Sequence, residues 1–170
     1  VEFERPAGGD EAIAEAAVLL SNAKFPVILN GAGVVLGGAI PASMALAERL
    51  DAPVCVGYQH NDAFPGSHPL FAGPLGYNGS KAAMELISGS DVVLCLGTRL
   101  NPFSTLPGYG LNYWPSEAKI IQVDINPDRI GLTKKVAVGI VGDATKVAEA
   151  VLARLTPAAG NAGRAERKAK

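Results

Sequence analysis

Apolar residues in this chain recur in two rhythms that take turns along its length. From Asp10 to about Asn22, residues Ile13, Ala16, Ala17 and Leu20 share one side of a 3.6-residue helix, with Asp10 expected as its cap. Pro26-Val-Ile-Leu-Asn30 then reads as a short buried strand. The glycine-rich Gly31-Ala-Gly33-Val-Val-Leu-Gly37-Gly38 reads as a flexible turn. A helix from about Ile40 to Leu50 tolerates Pro41 in its first turn, and Pro53-Val-Cys-Val-Gly57 is the next strand. Tyr58 to Gly79 is a long loop broken by a short strand near Phe71. Ser80 caps a helix to about Ser88, and Asp91-Val-Val-Leu-Cys-Leu96 is apolar at both parities, hence a strand buried on both faces. After an irregular stretch from Pro102 to Pro115 come strands at Ile120–Val123 and Val136–Val141. Asp143 then starts a helix to about Leu155. Two-sided apolar strands alternating with helices predict an α/β fold: a doubly wound parallel sheet of about six strands with helices on both faces.

Composition narrows the class. A chain of 170 residues fits one domain, and 48% hydrophobic against 18% charged residues, with 20 Gly and 12 Pro, describes a turn-rich globular protein. No apolar run reaches the ~18 residues that a membrane span needs, and Val1-Glu-Phe-Glu-Arg-Pro6 lacks the pattern of a signal peptide. A net charge of -1 argues against nucleic acid as the main partner. The charge is uneven, because Arg164, Arg167, Lys168 and Lys170 outweigh Glu166 beyond Pro157, a net of +3 that leaves -4 on the rest. Without apolar periodicity, residues 157–170 are expected to be a basic linker or tail behind a domain of residues 1–156. Cys55 and Cys95 lie inside strand-like runs and suit buried free thiols in a cytoplasmic protein. His60 and His68 do not have the spacing of two ligands on one helix face, so no metal is expected here.

Candidate chemistry gathers at the strand ends. Ile120-Ile-Gln-Val-Asp124 and Val138-Gly-Ile-Val-Gly142-Asp143 each close an apolar run with an acid, where open α/β sheets bind nucleotides. Asp124 also suits a turn start, and Asp143 a helix cap. Gly31 and Gly33 follow the first strand, yet the glycine spacing is one residue too long for the NAD fingerprint, and no acid ends the second strand. Arg99, just beyond a buried strand, can pair with phosphate or with a nearby loop acid. No nucleophile–base–acid set is recognisable, and Gly-x-Ser-x-Gly is absent.

These segments also occur in a specific order. Ala23-Lys-Phe-Pro-Val-Ile-Leu-Asn-Gly-Ala-Gly33, Pro53-Val, His68-Pro-Leu-Phe-Ala-Gly73, Ser90-Asp-Val-Val-Leu-Cys-Leu-Gly97-Thr-Arg99, Ile121-Gln-Val-Asp124-Ile-Asn-Pro127 and Val141-Gly-Asp143 follow one another. In that order the chain resembles, over about Asp10 to Leu155, the Rossmann-like central domain of thiamine-diphosphate enzymes of the acetolactate synthase and oxalyl-CoA decarboxylase type. Its loops Asn101-Pro-Phe-Ser-Thr-Leu-Pro-Gly-Tyr-Gly110, Tyr113-Trp-Pro115 and Asp128-Arg-Ile-Gly-Leu-Thr-Lys-Lys135 look most like the sulfoacetaldehyde acetyltransferase branch.

The resemblance implies the middle piece of a three-domain enzyme that uses thiamine diphosphate and Mg²⁺, so the chain is expected to be an excised fragment without activity of its own. The other two domains of the polypeptide would be its partners, within a homodimer or homotetramer. The parent reaction would turn sulfoacetaldehyde and phosphate into acetyl phosphate and sulfite. Alternatives are the central domain of an acetolactate synthase, or a purely nucleotide-binding or interface domain. Gly142-Asp143-Ala144 departs from the family's Gly-Asp-Gly metal motif. Carried over from relatives, nucleotide contacts fall on Gly31, Gly33, Arg99, Asp124, Ile125 and Asp143, with no catalytic residue assigned. In relatives this domain binds FAD, ADP or nothing, and Tyr77-Asn78-Gly79 stands where FAD-binding synthases carry Met-His-Gly, so ADP is expected ahead of FAD, with an empty site kept for packing as the alternative.

Overall fold

A computed structural model describes residues 4–169. Its elements run in the order α1 (Asp10–Asn22), β1 (Pro26–Asn30), α2 (Ala32–Leu36), α3 (Ile40–Leu50), β2 (Val54–Gly57), β3 (Phe71–Leu75), α4 (Lys81–Ser88), β4 (Val92–Leu96), β5 (Lys119–Asp124), β6 (Val138–Val141), α5 (Ala144–Arg154) and α6 (Arg164–Lys168). The six strands form one sheet in the order β3-β2-β1-β4-β5-β6, and every neighbouring pair is parallel. Parallel neighbours need a crossover, and helices or long loops supply each one.

The pleat divides the strand side chains between two cores. Ile28, Val54, Val56, Leu94, Ile121 and Ile140 face α1, α3 and α5, where Leu20, Leu46 and Val151 meet them. Val27, Leu29, Cys55, Val93, Cys95 and Ile120 face α4 through Ala83, Met84 and Ile87. Each fully buried Leu, Ile or Val stabilises the fold by about 1.5–3 kcal/mol, so losing either face would unmake the sheet. Helices cover both faces as the pattern predicts, though unevenly. Beside the single helix α4, the second face is closed by Leu100, Tyr113 and Trp114 from an irregular segment. Among the described residues no helix is long and apolar enough to cross a membrane.

Three local expectations need correction. Asp10 is the first helical residue rather than the cap, which is Gly9 without a side-chain bond, and its carboxylate instead receives Arg154 at 2.5 Å. The glycine-rich turn after β1 contains the helix α2, whose five residues are too few to print a helical period. The basic tail is not a loose linker over its described part. Arg167 is buried and donates to the carbonyl oxygens of Asp51, Lys24, Ala162, Leu50 and Gly160, while Arg49 donates to those of Thr156, Pro157 and Ala159. Polar clasping of backbone carbonyls leaves no apolar rhythm, so hydrophobic patterning cannot reveal it. Ser80 and Asp143, by contrast, are caps as read: Ser80 accepts from the Ala83 N–H and Asp143 from those of Thr145 and Lys146.

Candidate functional site

Strand order reverses about β1, which has β2 on one side and β4 on the other, and an open α/β sheet presents its crevice at that point. A cleft of about 610 Å³ opens there at the carboxyl ends of the strands. That volume lies within the ~300–1,000 Å³ of small-molecule sites. Gly31, Gly33, Arg99, Asp124, Ile125 and Asp143 all line it, so the structure brings the six residues singled out in the sequence to one place.

The glycines act on protein before any ligand. The Gly31 N–H donates to Leu96 O at 3.0 Å and the Gly33 N–H to Gly97 O at 2.8 Å. A Cβ on Gly31 would stand 2.6 Å from Gly97 O, and one on Gly33 would stand 2.7 Å from Gly97 Cα. Gly97 itself has φ +62°. The two loops after β1 and β4 are therefore pressed backbone to backbone, which only glycine permits. This packing forms the floor of the cleft.

Charged groups around that floor differ in how far they are engaged. Asp143 Oδ1 accepts from the Thr145 and Lys146 N–H groups, at 3.1 and 3.2 Å, and Oδ2 accepts from Arg5 Nη1 at 3.1 Å. Both its oxygens thus serve α5 and the incoming chain. Asp124 is also buried, and its Oδ1 accepts from the Asn126 N–H at 2.8 Å, the turn-starting role read from the sequence. Its Oδ2 has no partner among the described residues. Arg99 and Arg129 are exposed at the cleft, and neither guanidinium has an ion-pair or hydrogen-bond partner among the described residues, so the expected loop acid for Arg99 is not found. Ile125 offers an exposed apolar surface on the same rim.

A buried amide holds the two arginine-bearing loops. Gln122 Nε2 donates to Thr98 O at 3.2 Å and to Arg129 O at 3.1 Å, while Oε1 accepts from the Gly131 N–H at 2.9 Å. Sequence reasoning passed over Gln122, although a lone amide inside the apolar run of β5 was a usable signal. Arg129 was legible too, five positions after Asp124 in the same strand-end loop. Gln59 and His60, just past β2, also line the cleft. Arg5 was not legible, since nothing near the start of the chain announces that it folds back onto Asp143.

These residues do not suit the thiamine cofactor and its metal. Among the described residues no three His, Cys, Asp or Glu side chains come together as ligands. Asp143 is consumed by its cap and by Arg5, and the residue after it is Ala144. An anion with a hydroxyl-bearing portion fits better: two unpaired guanidiniums for the charge, one free carboxylate oxygen for the hydroxyl.

The family described as "Thiamine pyrophosphate enzyme, central domain" matches residues 13–151. A sulfoacetaldehyde acetyltransferase from Roseovarius nubinhibens is 78% identical over 169 residues, covering 99% of this chain and 28% of that protein. A probable acetolactate synthase large subunit from Methanocaldococcus jannaschii is 39% identical over 143 residues, covering 84% of this chain and 24% of that protein. Among solved structures, a Mycobacterium smegmatis protein assigned as a thiamin diphosphate-dependent enzyme superposes with a TM-score of 0.75. It is 27% identical, and the match covers 92% of this chain and 30% of that one. The chain thus spans under a third of the proteins it is similar to.

Proposed function

We propose, proceeding from the fact that this chain belongs to the thiamine pyrophosphate enzyme central-domain family, that it is the middle domain of a sulfoacetaldehyde acetyltransferase. One observation carries this reading: 78% identity over 99% of the chain with a protein of that name, against 39% with the acetolactate synthase relative. The whole polypeptide converts sulfoacetaldehyde and phosphate into acetyl phosphate and sulfite with thiamine diphosphate and Mg²⁺. In it this domain is scaffold, not catalyst, because its residues do not fit the thiamine site. Its partners are the other two domains, in a cytoplasmic homodimer or homotetramer.

The cleft adds a binding role. An adenine nucleotide, ADP in preference to FAD, lies along the carboxyl edge. Arg99 and Arg129 face its diphosphate, Asp124 Oδ2 accepts from a ribose hydroxyl, and Ile125 lies against the base. The open volume and the unpaired charges support this, as does Asp124 having one oxygen to spare where Asp143 has none.

Assaying the full polypeptide that carries this chain tests the main reading. With sulfoacetaldehyde, phosphate, thiamine diphosphate and Mg²⁺ it releases sulfite and acetyl phosphate. Acetolactate formed from pyruvate, with no sulfite from sulfoacetaldehyde, overturns it in favour of the synthase alternative.

A further inference from the structure

Two segments of this domain carry no Asp, Glu, Lys or Arg: residues 71–80, which are β3 and the turn after it, and the irregular residues 100–115. The fold brings them together at the end of the cleft nearest β2 and β3. The Tyr77 N–H donates to Phe103 O at 2.9 Å, and Tyr109 Oη donates to Gly79 O at 3.0 Å. Gly76 lies so close that a Cβ there would overlap Phe103 O. Tyr77, Phe103 and Tyr109 are 56%, 59% and 63% exposed, and they are the only prominently exposed aromatics among the described residues. Tyr58 packs edge-on to Tyr77 with centroids 6.1 Å apart. Three of the four non-glycine residues with left-handed backbone, Asn78, Leu100 and Tyr109, also fall in these segments. Strained backbone of that kind persists where the surroundings impose it, commonly at binding surfaces.

Charge depletion with aromatic enrichment marks the core of a protein–protein interface rather than a solvated surface. With Tyr109 held through its hydroxyl and Tyr77 packed on Tyr58, these two side chains would lose little freedom on docking. The course of the chain indicates the occupant. Residues 5–7 run along the same carboxyl edge, where the Asp143 N–H donates to Pro6 O, Ala7 bridges Gly142, and Arg5 pairs with Asp143. The last described residues sit at the opposite edge, against Lys24 and Asp51. A domain joined ahead of this one therefore emerges beside the cleft. From β6 to β3 is five strand spacings, about 24 Å, and a small domain is about 30 Å across. One such domain reaches the aromatic cluster.

We propose that Tyr77, Phe103 and Tyr109 form the docking face for the preceding domain of the same polypeptide, which closes over this end of the cleft. This rests on the chain being the middle domain of a longer enzyme. Hydroxyl-radical footprinting tests it on two proteins, the 170-residue chain and the full polypeptide. The three aromatics label readily in the former and lose their labelling in the latter at concentrations where it is a single subunit. Phe103→Ser, at a side chain that belongs to neither buried core, leaves the melting temperature of the short chain unchanged. It lowers that of the full polypeptide by about 2 °C or more. Labelling that persists in the full polypeptide overturns the proposal, as does protection of the short chain that grows with its own concentration, which would make a second copy the occupant. Sulfite release from sulfoacetaldehyde, measured on the same preparation, reports on the functional reading separately.

Discussion

The Gly33 N–H donates to Gly97 O at 2.8 Å, and their Cα atoms are so close that a Cβ on either would stand 2.7 Å from the other's Cα. Sixty-four positions separate them along the chain. Their contact joins the loop after β1 to the loop after β4, and so fixes where Arg99 stands two residues later.

Gly33→Ala therefore separates the two loops. Overpacking a tight contact typically costs about 1–3 kcal/mol, and the obstacle here is backbone, which cannot rotate aside. A urea titration shows the loss as a lower midpoint at unchanged slope. Gly38→Ala makes a poor control because its φ is +67°, and Gly9→Ala because Gly9 caps α1; Gly66→Ala, whose Cβ would meet only Phe71 at 3.9 Å, serves better. A midpoint for Gly33→Ala equal to that of Gly66→Ala removes the close approach as the reason for glycine.

Arg99→Ala separates stability from binding. With no partner among the described residues, the guanidinium contributes little to the fold, so the melting temperature stays where it was. Calorimetric titration with ADP reads the other half. A lost charge-assisted bond weakens binding by about 1.5–3 kcal/mol, roughly tenfold or more in Kd. Equal ADP affinity in wild type and variant, or none in either, ends the case for Arg99 as a phosphate ligand.

Arg167→Met dismantles the clasp at the other edge of the sheet. The variant strands the five carbonyl oxygens that Arg167 serves, and leaves Asp51, whose Oδ2 lies 3.7 Å from Arg167 Nη2, with only Arg164 nearby. Breaking a buried pair in this way costs about 3–5 kcal/mol. Limited trypsinolysis then removes the segment beyond Leu155 from the variant while sparing it in the wild type. Equal protection in both sinks the idea that Arg167 holds this segment down.

Alkaline pH acts through buried groups. Burial pushes the Cys55 thiol from 9.0 up to about 12, raises Cys95 further, and lifts Tyr113 to about 12. A raised folded-state pKa means that the folded protein holds its proton more tightly than the unfolded chain. That stability is fully present below pH 9 and is lost as pH climbs from 9 towards 12. Urea midpoints should be flat from pH 7 to 8.5 and then fall, and Cys55→Ala should make the fall shallower. Neither thiol should react with a thiol reagent at pH 8 until the protein unfolds. Prompt modification of either cysteine would falsify this account. A disulfide between them is ruled out by register: both are paired with Leu29 from opposite sides, two strand spacings or about 9.6 Å apart.

Much of this was written in the sequence because the signals are local. Runs such as Val27–Leu29 and Val92–Leu96 are apolar at both parities, and only a strand covered on both faces accommodates that. Ser80 and Asp143 cap their helices through bonds that span two or three residues, and Asp124 closes its turn in the same way. The ordered motifs also carried the family and the location of the cleft.

Other features depended on residues far apart in sequence. The spare oxygen on Asp124 and the fully used carboxylate of Asp143 look alike in the chain, and only Arg5, 138 positions away, tells them apart. Gln122 joins the loops of Arg99 and Arg129 from inside the sheet, and Arg167 folds a tail with no apolar rhythm against carbonyls over a hundred residues earlier. Hydrogen bonds and close backbone contacts between distant segments leave no periodic trace, because each depends on a single side chain, or on the lack of one, meeting a partner that folding brings to it.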